Sequence, residues 1–174
     1  MSNHTILTIG AFIILTTILQ NFYRLLGNAG DDITDAQDMI LANTIATSYL
    51  EVAQGMAFDE ITDSSSIALH NVSALTAPHS LGPDIADEDT LHNFNDFDDF
   101  HGFVTERMAT GSNRRFTTSF SVAYVDPNDV NKIVASRTFL KRIDLKTWRS
   151  YPPPEGTVLD TLRMSLVSGY FHFD

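Results

Sequence analysis

The chain has no cysteine among its 174 residues. That excludes a disulfide framework, thiolate catalysis and cysteine-ligated metal. Basic charge is scarce: 11 Lys and Arg stand against 22 Asp and Glu, a formal net charge of -11. A nucleic-acid binder needs clustered cations to displace counterions from phosphates, so no nucleic-acid partner is expected. The acidity suits an exposed surface that stays soluble and repels nonspecific contacts. Also missing are the G-x-S-x-G and H-E-x-x-H motifs, the P-loop and the dinucleotide fingerprint. The histidines, His4, His70, His79, His92, His101 and His172, are scattered without metal-ligand spacing. The expectation is no enzyme and no cofactor.

What the chain does have comes first. Thr5 to Tyr23 runs nineteen residues without a formal charge. Extended by Leu25 and Leu26, it meets the roughly 20 apolar residues that cross a hydrocarbon core. Three readings compete: a cleaved signal peptide, a permanent anchor, and a helix that starts in lipid and ends among copies of itself. MSNH carries no Lys or Arg, which weakens the first. Thr5, Thr8, Thr16 and Thr17, with Gly10 and Ala11, let helices approach closely and bond across, which favours the third. The residues that would line such a core are Ile6, Leu7, Ile9, Phe12, Ile13, Ile14, Leu15, Ile18, Leu19 and Phe22.

Gly27 and Gly30 then predict a break, because glycine costs about 1 kcal/mol relative to alanine inside a helix. Thr34-x-x-Gln37 has capping-box spacing, and aspartates crowd the first turn of a restarted helix. From Ala36, one stripe (Met39, Ala42, Ala46, Leu50, Ala53, Ala57) and a second (Leu41, Ile45, Tyr49, Val52, Met56) recur at helical spacing. Two apolar faces call for two partners: the chain's own sheet and a neighbouring subunit, or else a helix sunk centrally in its own domain.

Residues 59–114 read as a long loop, and loops of that length are usually functional or disordered. Asp84, Asp87, Glu88, Asp89, Asp96, Asp98 and Asp99 concentrate charge there, interleaved at its end with Phe94, Phe97, Phe100 and Phe103. Oxygen-rich clusters suit calcium, and Asp96, Asp98 and Asp99 are the residues that would hold it. No EF-hand register is present. The plainer alternative pins the phenylalanines into the core and leaves the carboxylates solvated or accepting backbone N–H bonds, and the expectation is no metal. Asn3-His4-Thr5 and Asn71-Val72-Ser73 match the N-glycosylation sequon.

From Phe116, alternation of Phe116, Thr118, Phe120, Val122 and Tyr124 with Thr117, Ser119, Ser121 and Ala123 predicts a half-buried strand. Asp126-Pro127-Asn128-Asp129 is turn chemistry. A second run follows over about 132–148, with Phe139, Ile143 and Leu145 inward, until Pro152-Pro153-Pro154 ends it. A last strand spans about 158–167, with Leu162, Met164 and Leu166 on one face. Three or four strands with one apolar face need a cover, which the helix at 36–57 supplies. The fold class is α+β: a long N-terminal helix, apolar then amphipathic, packed on a C-terminal antiparallel sheet. The parts are 1–30 hydrophobic stalk, 31–58 amphipathic helix, 59–114 connecting loop and 115–174 sheet.

Helix, acidic-aromatic loop and sheet in that order resemble the type IV pilin and pseudopilin superfamily, most of all minor pilins of the mannose-sensitive haemagglutinin type. The resemblance rests on Ala42–Ala53 followed by Ala57-Phe58-Asp59-Glu60, on Asp96-Phe97-Asp98-Asp99-Phe100-His101-Gly102, and on Lys141–Leu145 with Asp160–Ser165. Members of that family begin with a short basic leader and carry a glutamate at the fifth place of the processed chain. Here no basic leader is visible and Thr5 stands at that place. The resemblance implies a structural subunit of an extracellular pilus-like filament on the cell surface, a helical homopolymer assembled through its N-terminal helix. Its partners are then copies of itself, the cytoplasmic membrane before assembly, and export or assembly machinery. The alternative it implies is a minor or tip pilin, or a membrane-anchored module for cell adhesion that binds through 59–114.

Overall fold

A computed structural model describes residues 3–64, 69–83, 90–153 and 161–171. It divides into two compact units, Met1–Ile40 and Leu41–Asp174. The expected acids Asp84, Asp87, Glu88 and Asp89, and the predicted strand start at 158–160, lie outside the described residues.

The first unit is the leading part of a single helix, α1, Asn3–Gln54. It corrects the expected break, because α1 runs through Gly27 and Gly30 without interruption. Two glycines weaken a helix by about 1 kcal/mol each. Propagation from turns already formed on both sides adds one hydrogen bond per residue, and that offsets the loss. Thr34 caps no restarted helix; its hydroxyl donates to the Gly30 carbonyl at 3.0 Å, one turn back. Thr8, Thr16 and Thr17 do the same to His4, Phe12 and Ile13, each at 2.8 Å. These hydroxyls therefore need no water, as an apolar surrounding requires.

The second unit carries the end of α1, a short helix α2 (Glu60–Ser64) and strands β1 (Val104–Met108), β2 (Arg115–Asp126), β3 (Asp129–Ile133), β4 (Leu140–Tyr151) and β5 (Thr161–Gly169). All pairings between strands are antiparallel, in the order β1-β2-β4-β5, with β3 folded back on the end of β2. The predicted turn at 126–129 makes that β2–β3 hairpin. Two expectations are corrected here. The run over 132–148 is two strands rather than one, and the presumed loop 59–114 contributes β1, an edge strand paired only with β2. Except for Thr105, which is half-buried, β1 is exposed along its length. Main-chain pairing without an apolar face leaves no period-two signal in the sequence.

The last turns of α1 cover the sheet. Ala42, Ile45, Ala46, Tyr49, Leu50 and Ala53 are buried with Phe116, Phe120, Val122, Ile143 and Leu145, and Leu162, Met164 and Leu166 pack against them. Tyr49 meets Phe120 edge-on at 5.3 Å. Positions 42, 45, 46, 49, 50 and 53 draw from both expected stripes and form one broad face, the i, i+3, i+4, i+7 set that a single sheet buries. Met39, Ile40 and Val52 stay exposed, and burial begins at Ala42 rather than at the start of the expected 31–58 segment.

Ala46 has no exposed surface, so its size sets how near the helix lies to the strands. Ala46→Leu is expected to lower stability by about 1–3 kcal/mol through overpacking. Val52→Ala, on the exposed side, should stay within about 0.5 kcal/mol. Thermal unfolding of the two variants against the parent checks the contrast.

Candidate functional site

Two features of the structure call for an explanation beyond ordinary packing. The first is the surface of α1 ahead of the head. Ile6, Leu7, Ile9, Phe12, Ile13, Ile14, Leu15, Ile18, Leu19 and Phe22 are all exposed, from 45% at Leu19 to 70% at Leu7. They occupy every side of the helix, as their spacing dictates. A helix apolar all round is stable only in lipid or inside a larger core. By length and composition α1 is able to cross a membrane, with a mean hydropathy of 1.7 over its most apolar 18 residues, none of them buried by the chain itself.

The second feature is a buried charged cluster beneath the segment that follows α1. Ala57 bridges to Asp96, with the Phe97 amide donating to the Ala57 carbonyl at 2.9 Å. A 3-10 turn at Asp98–Phe100 follows. Phe94, Phe97 and Phe100 are buried, and Phe94 packs edge-on against both Phe100 and Phe103. The acids between these rings are not solvated: Asp96, Asp98 and Asp99 are each at most 2% exposed. Asp96 Oδ1 accepts the amides of Asp98 (2.7 Å) and Asp99 (3.3 Å). Asp99 Oδ2 accepts those of Asn95 (2.9 Å) and Asp96 (3.2 Å). Asp98 pairs with the Lys141 ammonium. One oxygen of each of these carboxylates is thus engaged, by backbone amides at Asp96 and Asp99 and by a lysine at Asp98. Among the described residues, no three His, Asp or Glu side chains are arranged to hold a metal.

Lys141 is the residue that sequence reasoning overlooked. It has no exposed surface. Its Nζ donates to the Phe58 carbonyl (2.8 Å), to Asp59 Oδ2 (2.8 Å) and to Asp98 Oδ1. It also lies over the rings of Phe58 (4.8 Å) and Tyr124 (5.5 Å). Asp59 Oδ2 is held in turn by the Thr76 amide at 2.9 Å. A signal for this site existed. Lys141 shares the parity of Phe139, Ile143 and Leu145, so alternation alone directs it inward, and an inward lysine requires buried carboxylates.

Burial raises the Asp96 carboxyl to about 8, with the neighbouring charge of Asp98 adding to it and Lys141 opposing. Burial likewise raises Asp98 to about 6, against the pull of Lys141. A carboxyl whose folded pKa lies above its unfolded value binds more protons in the folded state. Its stabilising contribution is therefore full below the unfolded value near 4 and lost as pH rises through the folded value. The head is expected to unfold at a lower temperature at pH 8 than at pH 5. In Asp96→Asn, which keeps the Oδ1 acceptor, the slope should flatten. Thermal midpoints across that range, for both proteins, check it.

The outer face of the sheet carries a shallow polar depression of about 500 Å³ among Ser119, Ser121, Asp144, Lys146, Arg163 and Ser165. Arg142 and the Ser165 hydroxyl both engage Asp144 there. Compared with known proteins, the chain matches no protein-family model, no curated protein and no solved structure.

Proposed function

We propose that the chain is a structural subunit of an extracellular pilus-like filament, which polymerises through its apolar N-terminal helix. The observation that carries this reading is the 3–40 stretch of α1. It is long, continuous and apolar on all sides over its first half, and it has no buried residue of its own. Such a surface requires an apolar surrounding, and two are available in sequence. The cytoplasmic membrane holds the helix before assembly, and a bundle of identical helices holds it afterwards. Lipid tails and a helix core are similarly apolar, so the transfer between them is nearly balanced and packing between small residues and hydroxyls decides it. The acidic head, whose sheet covers only its own turns of α1, then faces water. Export and assembly machinery is the partner that moves the subunit from one surrounding to the other.

Electron microscopy of the protein sheared from cells tests this. Filaments in which this chain is the bulk component are the expected result. A chain that stays in the membrane fraction, or is present only in trace amounts in filaments built of something else, overturns the reading in favour of an anchored or tip-located adhesion module.

A further inference from the structure

We propose that Lys141 and Asp98 are joined by an intramolecular amide bond that forms spontaneously within the folded head, with Asp96 as the proton-transfer residue. The two reacting groups come from residues 43 apart in sequence and meet in a fully buried site. The lysine nitrogen is held on three sides by Phe58 O, Asp59 Oδ2 and Asp98 Oδ1. It is enclosed by the Phe58 and Tyr124 rings. Fixing a nucleophile against its electrophile in this way replaces a bimolecular encounter with an oriented one, which accounts for effective molarities of about 10⁵–10⁸ M in favourable cases. Asp96 is buried two residues before Asp98, and its Oδ1 is fixed by the amides of Asp98 and Asp99.

The reaction needs an uncharged acid and an uncharged amine, and burial raises the Asp98 carboxyl toward its acid form against the pull of Lys141. An ammonium and a carboxylate pay heavily for leaving water. Passing one proton from nitrogen to oxygen gives an uncharged amine beside an uncharged acid. The amine lone pair then attacks Asp98 Cγ, a C–N bond forms, and the carbonyl π pair moves to oxygen. Asp96 gives its proton to an Asp98 oxygen and receives one from nitrogen. The C–O bond breaks and one water leaves. Acid plus amine gives amide plus water, with no change of oxidation state and no further reactant. The product replaces the Lys141 and Asp98 charges with a neutral amide, while Asp59, which shared the ammonium, keeps the Thr76 amide as a donor and, with the Phe58 carbonyl, can accept the new N–H. The bond would tie the 3-10 turn at Asp98–Phe100 to β4 and close a covalent loop over residues 98–141 of the head.

The proposal does not depend on the filament reading, and its test is chemical. The full chain is extracted in detergent, unfolded and digested with trypsin, and the peptides are weighed. The expected species joins residues 25–107 to residues 138–142, uncut after the blocked Lys141, and is lighter than the two together by one water, about 18 Da. Asp98→Asn should give the same linkage with loss of ammonia instead, about 17 Da. Asp96→Asn should give separate peptides from a protein that still shows the sheet's circular dichroism. Separate peptides from the folded parent overturn the proposal, whatever the variants do. A linked species in Asp96→Asn overturns the role given to Asp96.

Discussion

Ile13→Asp is expected to abolish filaments while the head keeps its fold. Ile13 lies in the middle of the uncharged Thr5–Tyr23 run, and its side chain is 62% exposed on a stretch of α1 that the chain does not bury. A carboxylate there costs about 2.5–3.5 kcal/mol at the centre of a membrane. In a helical bundle it costs at least as much, because the same charge recurs in every subunit and like charges meet in a low-dielectric core. Neither surrounding then accepts the helix. The head is untouched, since its core begins at Ala42 and contains no residue before Leu41. Leu15→Asp should behave in the same way. Electron microscopy of sheared material, with circular dichroism of the purified protein, reads both halves of the expectation. Normal filaments from either variant would sink the proposal that this helix forms the polymer's core.

Lys141→Met should produce the largest loss of stability in the head. Met has similar length and fills the space under Phe58 and Tyr124, so the change isolates the charge. Without the Lys141 nitrogen, and so without either the ammonium or the amide proposed above, Asp59 and Asp98 are left as buried carboxylates with no cation between them. Breaking a buried ion pair from one side costs about 3–5 kcal/mol, a large share of the about 5–15 kcal/mol that holds a typical domain together. For a unit of this size that corresponds to a thermal midpoint lower by roughly 10–20 °C. Adding Asp98→Leu and Asp59→Asn to Lys141→Met should recover much of the loss, because an uncharged set of similar volume removes the stranded carboxylates. A drop of only a few degrees in the single variant would show that Lys141 does not hold this cluster together.

The sequence was informative wherever one periodicity met one burial environment. The alternation from Phe116 to Tyr124 matches the observed strand residue for residue, because every inward side chain is buried, Phe116, Phe120 and Val122 with α1 and Tyr124 with Phe58 and Leu75, while the outward ones keep contact with solvent. The turn at 126–129 and the prolines after Tyr151 mark real ends, since a ladder cannot continue without the N–H that proline lacks. Glycine misled the helix reading. Its cost at Gly27 and Gly30 is local, whereas a 52-residue helix is a cooperative object that tolerates two weak positions. Residues of both stripes of α1 reach the chain's own sheet over 42–53, because a face about 100° wide carries two adjacent rows.

By itself the sequence determined the α+β class, the apolar character of the leading helix, and the absence of thiol chemistry, because these depend on composition and on contacts near in the chain. Only the tertiary structure decided that the acids between the phenylalanines are dry, that Lys141 sits among them, and that β1 belongs to the sheet. The lysine site depends on partners that lie far apart in sequence, with Asp98 43 residues and Asp59 82 residues from Lys141, and β1 went unseen because its pairing with β2 buries no apolar face. A carboxylate in a loop reads as solvated until the fold brings a lysine to it; alternation turns Lys141 inward, but no spacing rule names the acids it meets.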